Sequence, residues 1–347
     1  MDIASHRAAR DYITALRCLA AGRGQAGAAR ERAAALYGPN SPVTRLVNKG
    51  SALTSDDLGS TDEEVQAARR GFLELVRQRS PSGRIPGWRR TGFETETTIQ
   101  TSATTADWIG EAGYVLPTKP EFDPAKLPRR KLQSLVLTTD DVVMGSDDFT
   151  ANLSRDLVTA LANAEWAALF DPVSDEVAGE RPASLTAGVT GIPSSGTDAA
   201  AVRTDLQALT DTYLAGGGDP EAAVLVMPSS IAVRLALMQN PLGVAELTAT
   251  GGNLFGWPVF ASSGIPVYSD GGPVVLFDPS RTLLADEPPD IDVVRQASIR
   301  FTTGDGAAEM VNLWQTNTAA FKASHWLNWK PAPGAVAYLA DVNWGSA

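Results

Sequence analysis

Residues 146–172, SDDFTANLSRDLVTALANAEWAALFDP, hold the strongest helical pattern in the chain. Phe149, Leu153, Leu157, Ala160, Leu161 and Ala164 recur at three- and four-residue intervals, acidic residues crowd the first turn, and Pro172 follows the end. Ser146 or Asp147 is the expected cap. At about 1.5 Å per residue this helix would be on the order of 35 Å long. Any fold the chain adopts must pack along that spine.

The flanking segments alternate in type. RAARDYITALRCLAAG and QAGAARERAAALYG are rich in Ala, Leu and Arg, with Gly22 and Gly38 at their ends, and read as helices. After a polar joint, SALTSDDLGSTDEE, Thr61 and Glu64 form a capping box for a helix whose apolar face is Val65, Ala68, Phe72, Leu73 and Val76. SPSGRIPGWRR reads as an extended connector. From about residue 93 the period shifts: FETETTIQTSATTADWI and KLQSLVLTTDDVV alternate as strands, joined by the Pro-interrupted excursion DWIGEAGYVLPTKPEFDPAKLPRRK. Beyond the spine come a helix stopped by three glycines, the buried strand AAVLVMP, and a helix capped by Ser229 or Ser230. GWPVFASSGIP, GPVVLFDPSRTLLAD and DIDVVRQ read as short strands. EMVNLWQTNTAAFKASHWLNW reads as one long strand, with Val311, Leu313, Ala319, Phe321 and Ala323 on one parity.

Composition narrows the class. Apolar residues make up 44% of 347, enough for a substantial core. No apolar run approaches the roughly 20 residues of a membrane span, and the first residues lack a signal-peptide core, so the expectation is synthesis in a cytoplasm. One cysteine, Cys18, and two histidines, His6 and His325, leave no internal disulfide and little material for a metal site. Residues 1–90 carry 15 Lys and Arg against 9 Asp and Glu, a balance of +6, so the rest carries −17 of the total −11. The acidic body would repel nucleic acid, whereas the basic first third could meet it.

No motif supplies a catalytic centre. GRGQAG at 22–27 matches a dinucleotide fingerprint by letters, but a helix precedes it where a strand is needed. GIPSSGT offers serines without an evident base, since His325 lies in a bulky apolar strand and reads as structural. Asp147 and Asp148 are explained by the helix dipole. Of the eight tryptophans, Trp166, Trp257 and Trp314 fall in regular elements and are expected in the core. Trp108 lies on the excursion, where a partner would have to cover it.

In this order the segments resemble a major capsid protein of tailed bacteriophages, whose fold is shared with encapsulin shells. ADWIGEAGYVLPTKPEFDPAKL is similar to that family's extended loop. KLQSLVLTTDDVVMGS with the following helix is similar to its returning strand and spine. NLFGWPVFASSGIP matches a recurring Gly-x-Pro-Val phrase, and MVNLWQTNTAAFKASHWLNW resembles the late strand. The resemblance covers residue 93 to the C-terminus.

It implies an α+β fold: a helical N-terminal segment or arm at 1–92, an extended two-stranded loop at 93–135, a peripheral domain at 136–199 and 297–323, and an axial domain at 200–296 and 324–347. It further implies a non-enzymatic subunit, without cofactor or metal, that self-assembles as hexamers and pentamers into an icosahedral capsid around a double-stranded DNA genome. The virion would be assembled in the host bacterial cytoplasm, away from membranes, with portal, scaffolding or decoration proteins as further partners. Trp108, Ile109, Glu111, Tyr114, Lys119 and Phe122 are the implied intersubunit contacts. Some relatives crosslink a loop lysine to an asparagine with help from a glutamate; Lys119 and Asn312 fall near those places, but QTNTAAF has no acid, so no crosslinking is expected. The N-terminal segment could be a scaffolding-like region removed on maturation or a retained arm. The alternatives are an encapsulin-type nanocompartment shell and an α+β hydrolase with no identifiable site.

Overall fold

The computed structural model describes residues 3–22, 25–49, 63–101, 106, 108, 109, 114, 119, 121–145, 148–238, 245–294, 297–302 and 308–346. The expected Thr61 to Glu64 capping box and the Ser146 or Asp147 cap lie outside the described residues or side chains. The chain divides into two compact units. The first comprises Met1–Gly83, Lys131–Ala162 and Glu287–Trp326, and the second Arg84–Arg130, Asn163–Asp286 and Leu327–Ala347.

In the first unit, helices α1 (Ile3–Ala21), α2 (Ala26–Tyr37), α3 (Pro42–Lys49) and α4 (Glu63–Arg77) precede strand β4 (Lys131–Thr139), the short α6 (Asp140–Gly145) and the start of the spine α7 (Asp148–Phe170). The described ends of GRGQAG belong to two helix termini: Gly22 closes α1 through its N–H to the Cys18 carbonyl, and Gln25 is the N-cap of α2. Helix α3 escapes the apolar-period reading because it is only 8 residues long. Its start is nonetheless written locally, with Ser41 Oγ accepting from Thr44 N at 3.1 Å and Pro42 opening the helix. Apolar faces of α1, α3 and α4 meet Leu153, Leu157, Val158 and Leu161 of α7 in one core.

Strand β14 (Thr318–Pro331) pairs antiparallel with β4, from Thr318 opposite Thr139 to Trp326 opposite Lys131. The reading of one long late strand is corrected here. Strand β13 (Ala308–Asn312) pairs instead with β12 (Ser298–Thr302), and residues 313–317 form a turn before β14. Asn312 Oδ1 accepts from the N–H groups of Trp314 and Gln315, and Asn317 takes φ 50, which ends any strand run. Trp314 is consequently 73% exposed, not core. Parity along a segment cannot show that an asparagine side chain interrupts it. Likewise the alternating run after Lys131 stops at Thr139, where DDVVMG turns helical.

The second unit is built on a seven-stranded mixed sheet. Its order is β5 (Ile192–Pro193), β15 (Val336–Val342), β10 (Gly272–Phe277), β6 (Val224–Pro228), β9 (Trp257–Ser262), β8 (Gly251–Leu254) and β7 (Ala245–Thr248). Strands β6 and β10 are buried at every position, which explains their unbroken apolar sequences. One face packs on α8 (Ala199–Ala215) and α9 (Ser229–Leu237) through Leu206, Leu209, Tyr213, Ile231 and Leu235. Phe277 instead meets Trp88 at 5.4 Å and Phe170 at 5.6 Å, and Trp166 is fully buried beside Phe170. Trp257 is half-buried and donates to the Pro220 carbonyl.

Three further local expectations change. The N-cap of α9 is Pro228, with no side-chain cap bond from Ser229 or Ser230. Pro81–Arg84 forms a short helix, α5, in place of an extended connector. TLLADEPPDIDVV is a single 13-residue strand, β11 (Thr282–Val294), not two short ones.

Gly251 and Gly252, at φ 123 and 157, let β7 and β9 close on β8. A Cβ on Gly252 would stand 1.8 Å from the Glu246 carbonyl oxygen. Gly252→Ala is expected to cost about 1–3 kcal/mol through overpacking. Hydrogen exchange should show faster amides across Ala245–Thr248 if so; unchanged protection would contradict this account of the glycine pair.

Candidate intersubunit surface

The excursion grows from a ribbon inside the second unit. Strand β2 (Thr97–Gln100) pairs antiparallel with β3 (Phe122–Ala125), which corrects the reading of legs formed by the flanking strands. The return leg is inside the Pro-rich stretch itself, and β4 goes to β14. Thr101 N–H donates to the Glu121 carbonyl, so alternate pairs carry the ladder and Pro124, opposite Thr98, falls where no N–H is needed. A proline that argues against a strand in sequence is thereby tolerated.

The base of the ribbon is anchored. Ile99, Ala125 and Leu127 are 3%, 5% and 2% exposed, and Asn328 Nδ2 donates to the Pro128 carbonyl at 2.6 Å. Glu94 and Lys126 pair at 2.8 Å on the surface, and the hydrogen bond from Lys126 holds the Glu94 carboxyl below the usual carboxylate range. Arg129 lies 5.6 Å over the Phe93 ring. Beside the base is a cleft of about 640 Å³ walled by Arg89, Ile99, Gln100, Thr101, Arg281 and Gly334. Arg281 spans it, donating to the carbonyls of Gly217 and Pro333 at 2.8 Å each.

Among the described residues away from the base, burial stops. Trp108 is 105% exposed, Tyr114 95%, Phe122 53% and Ile109 40%, and Lys119 is exposed as well. Glu111 lies outside the described residues. Two bare aromatics on one arm leave several hundred Å² of apolar surface in water, at about 25 cal/mol per Å². Asn312, the other residue of the expected crosslink region, spends its side-chain oxygen on the turn before β14.

Ser194 and Ser195 of GIPSSGT are held by Asp205: Ser194 Oγ donates to it at 2.7 Å and Ser195 N–H at 2.8 Å, with no imidazole among their partners. The indole N–H of Trp344 adds a third bond at 2.9 Å. This hub ties a loop and the C-terminal segment to α8, and sequence reading missed it because Trp344 lies 139 residues from Asp205. Burial raises the Asp205 carboxyl, but these hydrogen bonds outweigh it and hold the group below its ordinary range. His325 is fully buried in β14. Among the described residues no group of three or more His, Cys, Asp or Glu could hold a metal ion, and no helix is long and apolar enough to cross a membrane.

A long helix packed with antiparallel strands, a seven-stranded sheet under two helices, and a two-stranded arm with bare aromatics define the tailed-phage major capsid fold. Chains from Mycobacterium phage Ogopogo (TM-score 0.53, 15% identity, 76% of this chain and 90% of that one) and Mycobacterium phage Adephagia (0.52, 14%, 76% and 89%) share the architecture. The chain belongs to the phage capsid family, whose model matches residues 66–324. It is 36% identical over 361 residues to the "Capsid polyprotein" of Pseudomonas phage PAJU2, covering 97% of this chain and 54% of that protein. The chain thus spans about half the length of that curated relative.

Proposed function

We propose that the chain is a non-enzymatic structural subunit that self-assembles through its arm into the icosahedral shell of a phage virion, around double-stranded DNA. The observation that carries this reading is the arm: a ribbon anchored at its base by buried Ile99 and Ala125, presenting Trp108 and Tyr114 almost wholly to solvent. A surface of that kind favours burial against another molecule. Many such contacts per particle add by avidity, so each can be weak. Membership of the phage capsid family supports a second copy as the molecule that covers it.

In this reading residues 200–296 and 324–347 form the axial domain, 136–199 and 297–323 the peripheral domain, 93–135 the arm and 1–92 the N-terminal segment. The seven-stranded sheet, whose strands fall mostly in the axial segments, supports the first of these. Trp108, Ile109, Glu111, Tyr114, Lys119 and Phe122 contact the neighbouring subunit. The acidic charge beyond residue 90 suits a wall that holds packaged DNA off its surface. Portal, scaffolding and decoration proteins are further partners in the host cytoplasm, where assembly takes place.

The test is the double variant Trp108→Ser/Tyr114→Ser. Because both side chains are exposed, its unfolding free energy from urea titration should match the parent to within about 0.5 kcal/mol. Closed particles in negative-stain electron microscopy should fall at least tenfold. Normal particles from the variant would refute the arm contact, and a parent chain that stays monomeric at all salt and protein concentrations would refute the shell reading.

A further inference from the structure

We infer that the N-terminal helices α1 to α4 are a retained layer of the mature subunit and are not cut away when the particle matures. The inference rests on the shell reading and goes beyond the family match, which begins only at residue 66. In α1, Ala9, Tyr12, Ile13, Leu16 and Cys18 are 2% exposed or less, and in α4 Phe72 and Val76 are fully buried. These side chains share a single core with Leu153, Leu157, Leu161, Ile291 and Phe321. Removing the helices would return the apolar face of the spine to water, which the hydrophobic effect opposes.

Polar anchors cross the same boundary. Arg17, 8% exposed, donates from Nε to the Val143 carbonyl at 2.8 Å, and Arg69 pairs with Asp290 at 2.8 Å with side chains 8% and 17% exposed. Excision would break both bonds. Part of the basic excess of the first 90 residues is therefore spent inward, on the acidic remainder of the chain. A removable scaffold would need a polar, separable seam; here the seam is the core.

Cys18 makes the test direct, because it is the chain's one cysteine and is buried in α1. Mature particles from infected or induced cells are treated with maleimide, intact and after denaturation, and the chain is weighed by mass spectrometry. Retention predicts no label on intact particles and one label per chain after denaturation. No label in either state, with a mass short by the helices, would show that they had been removed and overturn the inference. One label on intact particles would show a layer that is present but undocked, and would overturn it too. Failure of the shell reading shows separately, as an absence of closed particles in negative stain; the packing of the layer is then decided by the same thiol count on the unassembled chain.

Discussion

Asp205→Ala should destabilise the second unit by roughly 3–5 kcal/mol. About 1–3 kcal/mol of this comes from leaving the indole N–H of the fully buried Trp344 without an acceptor, and the rest from lost bonds to a charged acceptor, which are worth about 1.5–3 kcal/mol each. The loop at Ser194 and Ser195 should loosen together with the C-terminal segment, because one carboxylate holds both. The pH dependence has a definite sign. The folded-state group titrates below its unfolded value, so its contribution is complete above a pH of about 4 and is lost as the pH falls through the lower folded value. Asp205→Asn keeps an acceptor but cannot titrate. Urea unfolding between pH 7 and pH 2 should show a shallower acid limb for Asp205→Asn than for the parent, and identical limbs would remove Asp205 from the account.

Phe72→Ala should cost about 3–5 kcal/mol in the first unit, the usual penalty for emptying a fully buried aromatic site. The cavity would open in the core shared by α1, α4 and the spine, so the effect should reach Cys18. Maleimide should label Cys18 in the folded variant at least tenfold faster than in the parent, where burial both shields the thiol and pushes its titration upward. Leu36→Ala, at a side chain 59% exposed, should change neither stability nor labelling. A Phe72→Ala chain with parental stability would mean that the N-terminal helices do not share the core.

Much of the helical architecture is legible in sequence because its signals are local. The spine shows in Leu153, Leu157 and Leu161 at helical spacing, and α8 in an Asp198 cap that accepts from Ala201 N–H and a glycine stop. The arm is legible as an excursion because four prolines interrupt it, and its aromatics are legible as exposed because no period places them on an inner face. Which strands the arm's legs pair with is not legible: β2 could in principle align with β4, and the choice of β3 depends on a register that gives Pro124 a position needing no N–H. The turn at Leu313–Asn317 was hidden for a similar reason, since one asparagine side chain competing for backbone N–H groups outweighs strand parity.

What the amino-acid order determined by itself was therefore the longer helices and the arm as an excursion, both consequences of spacing within a turn or two of chain, while the short α3, α5 and α6 were not legible. The buried His325 was already readable from its apolar strand, whereas tertiary structure alone decided that Asp205 gathers Ser194, Ser195 and Trp344 and that the N-terminal helices bury the spine's apolar face. Each joins groups tens to hundreds of residues apart. An amphipathic helix announces that one face must be covered but not by what, because burial is non-directional and only the folded chain selects the partner.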